Sequence, residues 1–121
     1  MTIPAQLQAI VSELISKYGI GYKISLKELY ALMKLRYDTN PGSVIPSDYC
    51  YNRANKGIVF TKYPHLFVHV KRGIYECLGE GYPYNGPVYA KPKNSKSEFV
   101  IGTWENGTFL PNANWNIFSS N

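Results

Sequence analysis

Ser43-Val44-Ile45-Pro46-Ser47-Asp48-Tyr49-Cys50-Tyr51-Asn52-Arg53-Ala54-Asn55, continued by Lys56-Gly57, is the stretch that sets how the rest of the chain is read. Pro46 suits the first turn of a helix, since it has no N–H to leave unpaired and its φ already lies near the helical value. Asp48 follows in that turn, where a carboxylate complements the positive end of the helix dipole. Gly57 is placed to end the segment. The pattern predicts a short helix over Ser47–Lys56. Ser47, Tyr51, Asn52, Arg53, Asn55 and Lys56 would give it an outward face rich in hydrogen-bond donors, with little apolar surface to bury. Tyr49 and Tyr51, two apart, would point different ways on such a helix, one into the core and one towards a partner.

Upstream, Leu7, Ile10, Val11, Leu14, Ile15 and Tyr18 recur at helical spacing between Pro4 and Gly19, which predicts an amphipathic helix of about four turns. Tyr22 and Ile24 flank Lys23 in a short extended piece. Ser25-Leu26-Lys27-Glu28 is a capping box that opens a second helix, with Leu26, Leu29, Tyr30, Met33 and Tyr37 turned inward. Asn40-Pro41-Gly42 stops it.

Downstream of Ile58 the period shortens. Leu66, Val68 and Val70 alternate with Phe67, His69 and Lys71, and an Arg72-Gly73 turn leads into Ile74-Tyr75-Glu76-Cys77-Leu78. That is a β-hairpin with a basic tip. Glycines and prolines then punctuate Tyr82-Pro83-Tyr84-Asn85-Gly86-Pro87, before a brief strand at Val88–Ala90 and a basic loop holding Lys91, Lys93 and Lys96. Phe99 to Trp104 reads as a strand turning at Asn106-Gly107 into Thr108-Phe109. The tail from Pro111 is expected to be loosely held unless Trp115 and Phe118 dock on the core.

Helix, short strand, helix, turn, helix and hairpin is the element order of a winged helix-turn-helix. The expected fold is therefore α+β: three helices plus a hairpin wing over residues 1–79, a β extension of the same domain over 80–110, and a tail at 111–121. In such a fold the third helix enters the DNA major groove and the wing approaches the flanking backbone. Asn52 and Asn55 suit an adenine edge and Arg53 a guanine, with Ser47, Tyr51 and Lys56 beside them, while Lys71 and Arg72 would neutralise phosphates. Tyr82, Tyr84 and Asn85 form either an additional contact or a rigid turn covering the sheet edge. Lys91, Lys93 and Lys96 either extend the phosphate-binding surface or keep a loop solvated.

Composition agrees with an acidic partner without demanding one: the formal net charge is +5 and the pI near 9.2. Eleven of 121 residues are tyrosine, which supplies apolar bodies for a small core and hydroxyls for a contact surface. Cys50 and Cys77 fall in predicted regular segments and read as two reduced, partly buried thiols. With neither a charged leader before an apolar core nor an apolar run of roughly 18 residues, the chain is expected to be soluble and cytoplasmic. His65 and His69 lie on an alternating segment, where a four-residue spacing does not bring imidazoles together, so both read as surface histidines and no metal is assigned. Asp48, Glu76, Glu80 and Glu98 match no catalytic spacing, and Gly79-Glu80-Gly81 precedes no helix that would make it a phosphate loop. Neither catalysis nor a cofactor is expected.

Ser47–Asn52, Asn55–Ile58, Arg72–Tyr75 and Tyr82–Pro87 together resemble a small bacterial and phage family associated with winged-helix modules of restriction and modification systems. The resemblance covers residues 5–107. Phe67 to Tyr75 is similar also to winged-helix modules whose wing carries a hydrophobic strand, Arg-Gly and an aromatic. The resemblance implies double-stranded DNA binding and carries over no catalytic residue. Two functions follow as expectations. One is DNA binding by a transcription regulator or a restriction- or phage-related module, with a homodimer formed through the first helix or the tail. The other is a protein-binding module on the same scaffold, such as a phage-encoded inhibitor of a host defence protein.

Overall fold

The helical period of the first eighteen residues does form a helix. A computed structural model describes residues 1–91 and 97–119, and in it α1 runs over Ile3–Tyr18. Thr2 Oγ1 accepts from the Ala5 N–H at its start, and Gly19, at φ 95°, ends it with its N–H on the Ile15 carbonyl. β1 (Tyr22–Ser25) leads into α2 (Leu26–Tyr37) through the capping box, where Glu28 N–H donates to Ser25 Oγ. β2 is Arg53–Ala54, and the hairpin is β3 (Phe67–Lys71) and β4 (Ile74–Cys77). β5 (Gly86–Ala90), β6 (Phe99–Glu105), β7 (Thr108–Pro111) and α3 (Ala113–Ser119) complete the chain. No helix among the described residues is long and apolar enough to cross a membrane.

The strands make two sheets, ordered β1-β4-β3 and β2-β5-β6-β7. Among the described residues the fold is α+β with three α-helices, and it holds more sheet than a simple wing requires. Leu7, Ile10, Val11, Leu29, Met33 and Phe67 bury the inner faces of α1, α2 and the first sheet in one apolar cluster. Burying each such side chain fully contributes roughly 1.5–3 kcal/mol. A second cluster gathers Tyr51, Phe60, Val88, Ile101, Trp104 and Phe118 around the second sheet. The β3–β4 hairpin divides them: Phe67, Tyr75 and Cys77 belong to the first, while Val68 and Leu78 pack against the second. Cys50 and Cys77 are both buried and free. Burial pushes the Cys50 thiol far up and that of Cys77 to about 12.

The expected helix over Ser47–Lys56 is not there. Pro46 and Asp48 do start a helical turn, but it is a single 3-10 turn, Pro46–Tyr49, after which the backbone is extended at Cys50 and enters β2. Burial explains the change. Tyr49, Cys50 and Tyr51 are 6%, 0% and 2% exposed, and three consecutive buried residues exceed the single apolar stripe that a surface helix offers. Tyr49 and Cys50 enter the first cluster and Tyr51 the second. The expectation that one tyrosine is core and the other a contact is corrected accordingly: both are core, in different clusters.

The extended stretch fastens the two sheets together. Cys50 bridges Phe67 in parallel, with Tyr51 N–H on the Phe67 carbonyl, and β2 then pairs in parallel with β5, Arg53 opposite Tyr89 and Ala54 opposite Ala90. At the other end of the second sheet, Asn106 and Gly107 take positive φ (47° and 83°), the combination a tight hairpin turn needs. The tail docks after all. Trp115 packs on Phe109, and Lys56 Nζ donates to the Phe118 carbonyl at 2.9 Å while lying 5.5 Å from the centre of the Phe118 ring.

Candidate functional site

The hairpin tip carries two uncommitted positive charges side by side. Lys71 closes β3 and Arg72-Gly73 makes the turn, with Gly73 at φ 78° as a left-handed position requires. Lys71 and Arg72 are exposed, and neither has a hydrogen-bond or ion-pair partner among the described residues. Behind the tip lies an open cleft of about 400 Å³ lined by Ser47, Arg53, Asn55, His69, Arg72 and Tyr75, with Leu26 and Gly73. The fold thus brings four of the residues singled out from the sequence to one place, although no helix presents them.

Hydrogen bonds decide what each residue can still do. Asn55 Nδ2 donates to Ser47 Oγ at 2.9 Å and to Asp48 Oδ1 at 2.7 Å, so Ser47 keeps its hydroxyl proton for an outside acceptor. Desolvation raises the Asp48 carboxyl above its usual range, against the lowering effect of the Asn55 amide. Arg53 spans 3.0 Å from Nη2 to Glu98 Oε1, a half-exposed pair that leaves its remaining N–H groups available. Burial, then the Arg53 charge, lowers the His69 imidazole below its ordinary value, so at neutral pH it is a neutral ring. The cleft combines two guanidinium groups, a hydroxyl and a neutral imidazole, a donor set suited to an anion's oxygens.

Three further residues of the expected interface are occupied by the fold. Asn52 Nδ2 donates to the His69 carbonyl and Asn52 Oδ1 accepts from the His69 N–H, both at 2.9 Å, so its amide stands in for a strand along the edge of β3. Lys56 is committed to Phe118. Tyr51 donates to the Gly79 carbonyl at 2.6 Å and accepts from the Tyr82 N–H. Each has a polar head suited to DNA, and each spends that head inside the molecule.

The tyrosine loop is tied to the fold at Tyr84 and Asn85. Tyr84 packs 5.2 Å from Tyr51, and Asn85 joins the β6–β7 turn by accepting from the Asn106 N–H. Tyr82 lines a different cleft. Lys91 is exposed at the end of β5, while Lys93 and Lys96 lie outside the described residues.

His65 is not the surface histidine its position suggested. Its ring sits 4.5 Å from Phe60, 5.0 Å from Trp104 and 5.5 Å from Tyr51, and Nε2 is buried with no partner among the described residues. Desolvation carries its pKa down to about 4, despite a hydrogen bond to the Phe60 backbone. Neighbouring Pro64 and the aromatics at 60 and 63 were the available sign of burial. Among the described residues no group of three or more His, Cys, Asp or Glu could hold a metal ion.

The family described as a domain of unknown function, DUF7225, matches residues 2–110. The chain belongs to that family. The DUF7225 match takes in both sheets and stops before α3. The chain is similar to a protein of Bacillus subtilis strain 168, described as uncharacterized protein YnaC, at 44% identity over 91 residues. That alignment covers 75% of this chain and 34% of the relative, so the chain spans about a third of the length of the curated relative it matches. No solved structure matches.

Proposed function

We propose that the chain binds double-stranded DNA through its hairpin tip and the basic cleft behind it, as a variant winged helix that grips backbone phosphates. The observation that carries this is the convergence of Arg53, Arg72 and the Ser47 hydroxyl on one cleft beside a tip whose Lys71 and Arg72 have no partner among the described residues. The order β1-β4-β3, preceded by α1 and followed through the Arg72-Gly73 turn, supports the winged-helix reading. The 3-10 turn at Pro46–Tyr49 then occupies the place of the reading helix. With Asn52 committed to His69, phosphate contacts outweigh base contacts and sequence preference is weak. The 34% of the Bacillus subtilis relative that aligns fits a module carried within a longer chain. For a tyrosine-centred protein interface Tyr18 and Tyr89 remain exposed, while Tyr49, Tyr51 and Tyr75 are buried.

Fluorescence anisotropy with random-sequence duplex DNA across a salt series tests the proposal. Three cations on phosphates, Arg53, Lys71 and Arg72, give a slope of log affinity against log salt near about −3, and Arg72→Ala makes it shallower by about 1. No binding at low salt, or binding indifferent to salt, refutes it.

A further inference from the structure

The hairpin tip and the basic cleft behind it differ in what can reach them. Lys71 and Arg72 are neighbours on the exposed turn, yet Arg72 lines the cleft and Lys71 does not. Ser47 and Arg53 lie deeper on the same cleft, both half-buried, with the Arg53 side chain 31% exposed. The flank of a duplex passing across the mouth meets the tip. A group that engages Ser47, Arg53 and Arg72 together has to project inward.

The recessed donors are held in place and keep spare capacity. Asn55 Nδ2 fixes Ser47 Oγ at 2.9 Å and is itself anchored on Asp48 Oδ1 at 2.7 Å, which leaves the hydroxyl proton for an outside acceptor. Glu98 Oε1 takes one Arg53 donor at 3.0 Å, and Arg72 has no partner among the described residues. Neither Asp48 nor Glu98 lines the cleft, so the charged groups on its wall are the two guanidiniums. A phosphate within a strand has given an oxygen to each neighbouring sugar and keeps a single charge. A terminal phosphomonoester presents three acceptor oxygens and a charge of about −1.5 to −2, and forked guanidinium groups match it in shape as well as in sign.

We propose that the cleft takes the terminal phosphomonoester of a DNA strand, with Arg53 and Arg72 on its oxygens and the Ser47 hydroxyl donating to it, so that the protein favours DNA ends that carry phosphate. This rests on the duplex-DNA reading of the same cleft and names the part of the duplex that enters it. A 5′ and a 3′ phosphate offer the cleft the same group.

The test is fluorescence anisotropy of the full chain with a DNA hairpin, which has one duplex end, labelled in its loop and carrying a 5′-phosphate, a 3′-phosphate or neither. At least one phosphorylated form is expected to bind roughly ten-fold tighter than the unphosphorylated one, about the value of one charge-assisted hydrogen bond. Arg72→Ala is expected to shrink that preference several-fold and Arg53→Gln to abolish it. Lys71→Ala is expected to weaken all three forms alike and leave the preference standing. Equal affinity for the three forms overturns the proposal and leaves the duplex reading intact, and so does a preference that Arg72→Ala leaves whole. Binding of a phosphorylated end with none of the unphosphorylated hairpin at low salt overturns the grip on backbone phosphates and keeps the end site. No binding of any form overturns both. The three forms are compared on the unsubstituted protein, and Arg72 and Lys71 stand on an exposed turn, so the decision survives an Arg53→Gln chain that fails to fold.

Discussion

Acidification should destabilise this protein, chiefly through one imidazole. His65 carries a folded-state pKa of about 4 against an ordinary 6.5, because burial among Tyr51, Phe60 and Trp104 disfavours its charged form. Below pH 6.5 the unfolded chain takes up a proton that the folded chain refuses, so stability falls as the pH drops. The fall runs from about pH 6.5 to about 4 and is complete below that. Over the whole window it amounts to roughly 3 kcal/mol, and by pH 5 to about 2 kcal/mol. Two nearby groups add their own slopes. His69, also lowered, acts in the same direction, while Asp48, raised by burial, acts in the opposite one. The perturbation that isolates His65 is His65→Asn, whose amide N–H can replace the ring's donor without titrating. Urea unfolding of both chains at half-unit steps from pH 7 to 4 is the assay. The difference between the two stability curves should shrink steadily with acid as the native chain loses its advantage. Parallel curves across the window would sink the reasoning, for they would mean that the His65 ring is solvated or already charged in the folded state.

Three other outcomes follow from particular contacts. Glu98→Gln releases Arg53 from its 3.0 Å ion pair and should strengthen duplex binding several-fold at low salt, measured by anisotropy; unchanged or weaker binding would take Arg53 out of the interface. Asn52→Ala deletes both 2.9 Å bonds to the His69 backbone and leaves that edge of β3 without them, at a cost of about 1–3 kcal/mol in urea unfolding, with faster amide exchange at His69. Gly102→Ala would set a Cβ 2.6 Å from Phe109 Cε1 and 2.7 Å from the Leu110 carbonyl oxygen. Overpacking of this kind costs about 1–3 kcal/mol, and a melting temperature equal to that of the parent chain would contradict the close β6–β7 approach.

What could be read in the sequence was whatever is encoded locally. The four-turn period closed by Gly19, the Ser25–Glu28 cap, the Arg72-Gly73 hairpin and the Asn106-Gly107 turn all involve residues near one another along the chain, and each element lies where its pattern put it. The stretch from Ser47 to Lys56 went wrong for a nonlocal reason. Its helix-start signals are genuine and produce a helical turn, but the pairing of Arg53 with Tyr89 lies far along the sequence and leaves no local periodicity. Tyr49-Cys50-Tyr51 was the visible warning, three residues prone to burial in a row on a supposedly polar helix. The basic tip was legible because nothing in the core competes for Lys71 and Arg72. Asn52 and Lys56 read as contact residues because a polar head that completes a β edge or anchors a C-terminal helix looks, in sequence, like one that waits for DNA.

The short run between Cys50 and Ala54 is a ruler. It must reach from a bridge on Phe67 to a ladder on Tyr89 and Ala90 while placing Tyr49 and Tyr51 in different clusters. Exchanging one of its side chains damages one contact. Adding or removing a single residue would break either the Cys50 bridge to Phe67 or the pairing of β2 with β5, because side chains on extended backbone change face at every step. Insertions should therefore be excluded from this run more strictly than substitutions, and the two halves of the molecule should unfold together.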